Sequence, residues 1–320
     1  MEIRFWGCRG SFPGSMTSLA VEGKIKAALH QAVEKRLDSP DDIDAFMEKD
    51  LPFSVRGTYG FNTPCIEIRD GDTFILCDAG SGLRDFGQQI MHRNGNNTPI
   101  PRDFHIIISH LHWDHIHGFP FFQPALAPEN LITLYGCHKD LDNAFTVQQE
   151  HPFFPLALED MAADIRFVKL DSKDTHQIQG FKVIPKLQHH PGQSYGYRFE
   201  KNGKTIVYSG DLELHPDDMD AVETVISFIN QADLLIFDAQ YTFVEACTVK
   251  KNWGHSSNLV GVELAIKAGV KHLCLFHHDP NSTDEDLDNL LTETIKLIET
   301  INPDYPLGVS IAWDGLIIQI

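Results

Sequence analysis

Short unbroken apolar runs alternate with polar turns along most of the chain. Runs near 104–108, 131–135, 164–169, 181–188, 233–237, 271–276 and 307–312 predict strands. The opening stretch Glu2-Ile3-Arg4-Phe5-Trp6 also reads as a strand. Cys65 to Ile68 and Thr73 to Cys77 flank Asp70-Gly71, a hairpin signal. A second hairpin pairs Tyr195 to Phe199 with Thr205 to Tyr208 across Asn202-Gly203. Helical spacing predicts helices near 138–146, 216–230, 256–268 and 282–300. The last of these carries Leu287, Leu290, Leu291, Ile295 and Ile298 on one stripe. Between Cys8 and Gly60 the pattern changes. Leu19, Ile25, Ala28, Leu29, Ala32 and Val33 recur at helical spacing, and Ser39-Pro40 reads as an N-cap followed by proline at the first helical position. This predicts a helical insertion, about 16–52, after the first strand. Two strand-rich halves, each followed by helices, predict an α/β protein of two packed sheets with helices outside. No Pro/Gly/Ser linker divides residues 1–320, which are expected to form a single domain.

Composition narrows the classes. The 320 residues are 42% hydrophobic and 22% charged, which suits a globular core. No apolar run is long enough to span a bilayer, so no membrane partner is expected. Six scattered cysteines form no CxxC and lie mostly in strand-like runs, as expected of reduced thiols in a cytoplasmic protein. A net charge of -19 disfavours a nucleic-acid partner, whose backbone is held by many Lys and Arg contacts. It leaves room for a small anionic substrate at a metal centre, because bound cations reverse the local field.

The densest chemistry follows the buried-strand run Phe104-His105-Ile106-Ile107-Ile108. Ser109-His110-Leu111-His112-Trp113-Asp114-His115 places four ligand-type residues at a strand end. His110 and His112 point to one side if extension continues; Asp114 and His115 turn onto the next face as a helix starts. One metal can take the first pair and a second metal the other pair. Imidazole and carboxylate suit Zn²⁺, with Fe or Mn²⁺ as alternatives.

HxHxDH is the hallmark of the metallo-β-lactamase superfamily, and the chain resembles that superfamily over nearly its whole length, the insertion excepted. Further motifs stand in the expected order: Cys77-Asp78-Ala79-Gly80, His189-His190-Pro191-Gly192, Ser209-Gly210-Asp211, Gly254-His255-Ser256 and His277-His278-Asp279. The resemblance implies a four-layer αββα sandwich and two divalent ions, with Zn²⁺ first in expectation. It implies that His110, His112 and His190 hold one ion, that Asp114, His115 and His277 hold the other, and that Asp211 bridges them. Asp114 also counts among the catalytic residues. Asp78 would steady a ligand histidine or the HxHxDH loop from behind. His105, His138, His151, His176 and His272 have no such support. His117, His189 and His278 adjoin ligands without an assigned role.

Asp211, the Gly254-His255-Ser256 motif and Leu234-Leu235-Ile236-Phe237-Asp238 are similar to the phosphodiesterase-like branch, which includes the tRNA 3′-processing endonuclease and class II cyclic-nucleotide phosphodiesterases. There Asp238 would orient His255 as a general acid. Phe5-Trp6-Gly7-Cys8-Arg9-Gly10-Ser11, Asn62-Thr63-Pro64 and Gly118-Phe119-Pro120-Phe121-Phe122 carry the same resemblance, although Phe61 stands where the branch has a second glycine. The expected function is a dinuclear-metal hydrolase of a small phosphodiester such as a cyclic nucleotide. The alternatives are an RNA 3′-end endonuclease, a thioester or lactone hydrolase, and a metal-binding sensor without turnover. The insertion is expected to act as a lid, as a homodimer contact or as packed decoration.

Overall fold

The computed structural model describes residues 1–92, 102–215 and 217–320. In chain order the strands are β1 (Glu2–Gly7), β2 (Cys65–Asp70), β3 (Thr73–Cys77), β4 (Asp103–Ile107), β5 (Leu131–Gly136), β6 (Asp164–Lys169), β7 (His176–Ile178), β8 (Phe181–Leu187), β9 (Tyr195–Lys201), β10 (Lys204–Tyr208), β11 (Leu234–Asp238), β12 (His272–Phe276), β13 (Gly308–Ile311) and β14 (Ile317–Gln319). The helices are α1 (Ser18–Ala32), α2 (Pro40–Lys49), α3 (Phe53–Arg56), α4 (Gly82–His92), α5 (Trp113–Ile116), α6 (Leu141–Gln148), α7 (Met219–Ile229), α8 (Phe243–Cys247), α9 (Asn258–Ala268) and α10 (Asp284–Ile301). The predicted strands fall within a residue or so of these bounds. The predicted start of a helix at Pro216 lies outside the described residues.

One sheet has the order β14-β1-β2-β3-β4-β5-β6, the other β13-β12-β11-β10-β9-β8-β7. Each is mixed: β3 to β6 are parallel and β1 to β3 antiparallel. In the second sheet β10 to β13 are parallel and β7 to β10 antiparallel. Side chains explain the layering. On β11, Leu234 and Ile236 join a core with Phe5, Ile66, Tyr197 and Phe276 between the sheets. Their neighbours Leu235 and Phe237 face the other way, against Val262, Leu264 and Ile298 of α9 and α10. The outer face of the first sheet, with Leu76, Ile106 and Leu134, packs on Leu83, Phe86 and Ile90 of α4. A strand buried on both faces reads as a continuous apolar run, which is why the strands were legible. These are the four layers of an αββα sandwich.

The insertion is helical as expected. Ser39 accepts from the Asp42 amide at the start of α2. α1 departs from its periodicity: Ile25, Leu29 and Val33 are exposed. Its tie to the body is polar, with Lys24 donating to the Gly57 carbonyl at 2.7 Å and to Asp284 at 2.6 Å.

Phe61 is accommodated without special geometry. The amides of Phe61 and Asn62 donate to Asp314 at 2.9 and 3.0 Å. The positive φ of this loop, +91°, sits at Gly60.

Candidate metal centre

The site lies where strands end on one edge of the sandwich, the place where open α/β sheets expose loops to a ligand. Asp78 follows β3, His110 to His115 follow β4, and Asp211 follows β10. Asp238 closes β11, His277 follows β12, and His190 follows β8, which runs in the same direction as β10. Five stretches thus deliver the seven residues of the predicted ligand set and Asp238 to one edge.

Their donor atoms converge. Single atoms of His110, His112 and His190 lie within 4.8 Å of one another, and so do atoms of Asp114, His115 and His277. Asp211 joins His110 and His115 at the same spacing, between the two groups. Asp211 Oδ2 stands 3.5 Å from both His110 Nε2 and His115 Nε2, and Oδ1 3.4 Å from His277 Nε2. His110 Nε2 and Asp211 Oδ1 are buried without a hydrogen-bond partner among the described residues. Buried polar atoms without partners are costly, and donors aimed at a shared centre suit a cation. The protonation tendencies agree. Burial pushes His110, His112 and His190 down, His112 to about 4, so these imidazoles are neutral, the form that ligates. Burial also opposes charge on Asp114 and Asp211, yet the neighbouring histidines hold both carboxyls well below the usual range. His115 is pulled the other way: against burial, Asp114, Asp211 and Asp78 hold it protonated. A divalent cation would take the place of that proton.

The supporting contacts fix the rings. Asp78 stands 2.7 Å from His115 Nδ1 and accepts from the Ser109 amide, the Ser109 hydroxyl and the Tyr208 hydroxyl. Asp78, which sits at φ +64°, thus touches both His115 and the start of the HxHxDH loop. His277 is also left-handed, at φ +60°, backbone strain of the kind that sites retain. Sequence reasoning missed two partners. Gln240 Oε1 takes His277 Nδ1 at 2.9 Å. Glu213, 3% exposed, accepts from the amides of Asn252 and Gly254, both at 2.7 Å. The Gly254 carbonyl in turn accepts from His190 Nδ1 at 2.7 Å. A Cβ at Gly254 would meet that nitrogen at 2.2 Å, so only glycine fits. The one signal for Glu213 was its place two residues after Asp211.

His255 sits in the loop before α9 rather than inside the helix. Its Nδ1 is 2.8 Å from Asp238 and its ring stacks 5.0 Å from His277. His255 also lines a pocket of about 470 Å³, together with Ser11, His112, Trp113, Asp114, Asp211 and His277. No residue of 16–52 lines that pocket. The unassigned histidines go elsewhere: His278 bonds the Ala312 carbonyl, His105 the Tyr135 hydroxyl, His117 the Thr63 hydroxyl, and the His189 ring lies beside His215.

Comparison with known proteins gives the family and the fold. The ribonuclease Z of Sulfurisphaera tokodaii is 27% identical over 253 residues, 69% of this chain and 83% of its own length. The metallo-β-lactamase fold protein YhfI of Bacillus subtilis superposes with a TM-score of 0.63 at 17% identity, over 99% of this chain and 98% of its own. The short form of human tRNase Z gives 0.59 at 18% identity, over 100% of this chain and 99% of its own. Both structures share the fold. Residues 73–278 match the family model described as the β-lactamase superfamily domain, and the chain belongs to that superfamily.

Proposed function

We propose that the protein is a metal-dependent phosphodiesterase that cleaves RNA near a 3′ end. The observation that carries the phosphodiesterase reading is the Asp238–His255 pair set beside the imidazole–carboxylate cluster. His110, His112 and His190 would hold one cation, Asp114, His115 and His277 a second, and Asp211 both. Zn²⁺ suits this donor set, with Mn²⁺ or Fe as alternatives. Such a pair, when bound, activates water at neutral pH and offsets charge developing on phosphoryl oxygens. The chain's own residues do the rest. The Ser11 amide donates to Asp114 Oδ2 at 2.8 Å and fixes that carboxylate. His255, oriented through Nδ1, gives the proton on its other nitrogen to the departing oxygen. A sugar alkoxide is a poor leaving group, so that proton matters for a phosphodiester and little for a thioester.

RNA as substrate is supported by the ribonuclease Z relatives. This reading departs from the sequence-based expectation against nucleic acid. A charge of -19 is a sum over the whole chain and says little about contact with one strand end at a cation pair. The same charge supports a second reading, a small diester such as a cyclic nucleotide. The six free thiols fit a reducing compartment such as the cytoplasm, and no helix among the described residues is long and apolar enough to cross a membrane. A panel of precursor tRNA with a 3′ trailer, cyclic AMP, bis(4-nitrophenyl) phosphate and a thioester tests the assignment. Trimming of the tRNA is expected. Cleavage of cyclic AMP alone would favour the second reading, and cleavage of the thioester alone would overturn both.

A further inference from the structure

Beside the metal pocket lies a second cavity, of about 550 Å³, that the hydrolytic chemistry leaves without a task. Leu111 and Trp113 line both spaces, so the two adjoin. The walls of the second are aromatic: Trp113, Phe121, Phe153 and Phe154. Trp113 is 79% exposed and Phe153 74% exposed. Phe121 is exposed too, its ring edge-on to Phe154 at 5.4 Å. Packing does not account for three open aromatic faces beside one site, since apolar patches left uncovered mark binding surfaces. Trp113 owes its place to the ligand loop. Asp114 and His115 are buried and His112 lines the metal pocket, while Trp113 between them is exposed and lines both cavities. Two amides, Asn143 and Gln148, stand in the same wall. Gln148 spends its amide group on the Ile116 carbonyl at 3.3 Å, which leaves its oxygen to accept.

Flat aromatic faces with a few amide groups at one side are what a nucleobase requires: stacking surface for the ring and hydrogen-bonding groups for its edge. A lipid chain would have no use for the amides, and a bare phosphate none for the rings. We propose that this cavity binds the base of the RNA nucleotide adjoining the scissile phosphate, with Trp113 and Phe153 as its stacking residues. The proposal rests on the phosphodiesterase reading above and adds a base-binding subsite to it.

Two esters with the same leaving group test it on the zinc-loaded protein: thymidine 5′-(4-nitrophenyl phosphate), which carries a base, and methyl 4-nitrophenyl phosphate, which does not. The base should raise kcat/KM about ten-fold or more, chiefly through KM, the size a stacked base contributes. Trp113→Ala and, separately, Phe153→Ala should bring that ratio down to about two or less. Phe153 lies outside the ligand loop and is largely exposed, so it serves as the variant that leaves the fold intact. A wild-type ratio near one, or a ratio unmoved by both variants, overturns the subsite. If neither ester is hydrolysed, the phosphodiesterase reading fails, and calorimetric titration still decides the cavity. Thymidine 5′-monophosphate should bind about ten-fold tighter than ribose 5-phosphate, and Phe153→Ala should abolish the difference; equal affinities overturn the subsite. Hydrolysis of uridylyl-(3′→5′)-uridine faster than cyclic AMP supports an RNA occupant. The reverse order overturns RNA as the source of the base.

Discussion

Replacing Asp238 by Asn tests the proton-donor pair in a way that truncation cannot. Burial would push the His255 imidazole down, but the carboxylates of Asp238 and Asp211 outweigh it and hold the ring up at about 9, against an ordinary 6.5. That shift corresponds to roughly 3 kcal/mol in favour of the imidazolium. Asp238 supplies the nearest charge, at 2.8 Å, so its neutral isostere should let the ring fall back toward its ordinary value. At pH ~8 the protonated fraction then drops about ten-fold, while at pH ~6 it hardly changes. The assay is kcat against pH for a diester with an alkoxide leaving group. The wild type should hold its rate to about pH 9, and Asp238→Asn should lose rate from about pH 7 upward. His255→Ala should cost roughly 10²- to 10⁴-fold at every pH on that substrate, and less than about ten-fold on bis(4-nitrophenyl) phosphate, whose leaving group departs without a proton. If Asp238→Asn lowers the rate equally at both pH values, or His255→Ala costs both substrates the same, His255 is not the proton donor.

Four further outcomes follow from the geometry. Asp78→Asn removes the carboxylate behind His115 and should weaken zinc binding about 10- to 100-fold, as measured by competition with a chromophoric chelator. Gly254→Ala forces a Cβ against His190 and should weaken binding at least as much, whereas Ala at the open turn residue Gly71 should not. Saturating zinc at about 1,000 times its Kd should add about 4 kcal/mol to unfolding stability, a rise in Tm that chelation reverses. Asp314, whose carboxyl burial raises to about 6 from 3.8, stabilises the fold most when protonated. That contribution should disappear as pH rises from about 4 to about 6, a loss of roughly 2–3 kcal/mol in denaturant titrations that Asp314→Asn abolishes.

Much of this was legible in the sequence because the physics is local. Continuous apolar runs marked strands buried on both faces, and Asp70-Gly71 and Asn202-Gly203 marked hairpins that form in register. Candidate ligand residues stood at strand ends, and the family resemblance, with its histidine directly before Pro-Gly, pointed to His190 over His189 and to His277 over His278. Other features depend on tertiary contact. β7 and β14 span three residues each, too few to carry a period. α4 does carry one, in Leu83, Phe86 and Ile90, directly after the Asp78 motif. Glu213 and Gln240 show no pattern, since each acts on a loop that only folding brings near. The periodic stripe of α1 pointed to burial, and the fold leaves it exposed.

The proposed chemistry requires a pair of cations caged by seven side chains. Anomalous diffraction at the zinc edge, from crystals of the zinc-loaded protein, tests this most directly. Two peaks are expected, one among His110, His112 and His190 and one among Asp114, His115 and His277, with Asp211 touching both. No peak in this cluster, or a single peak held by Asp238 and His255, would contradict it.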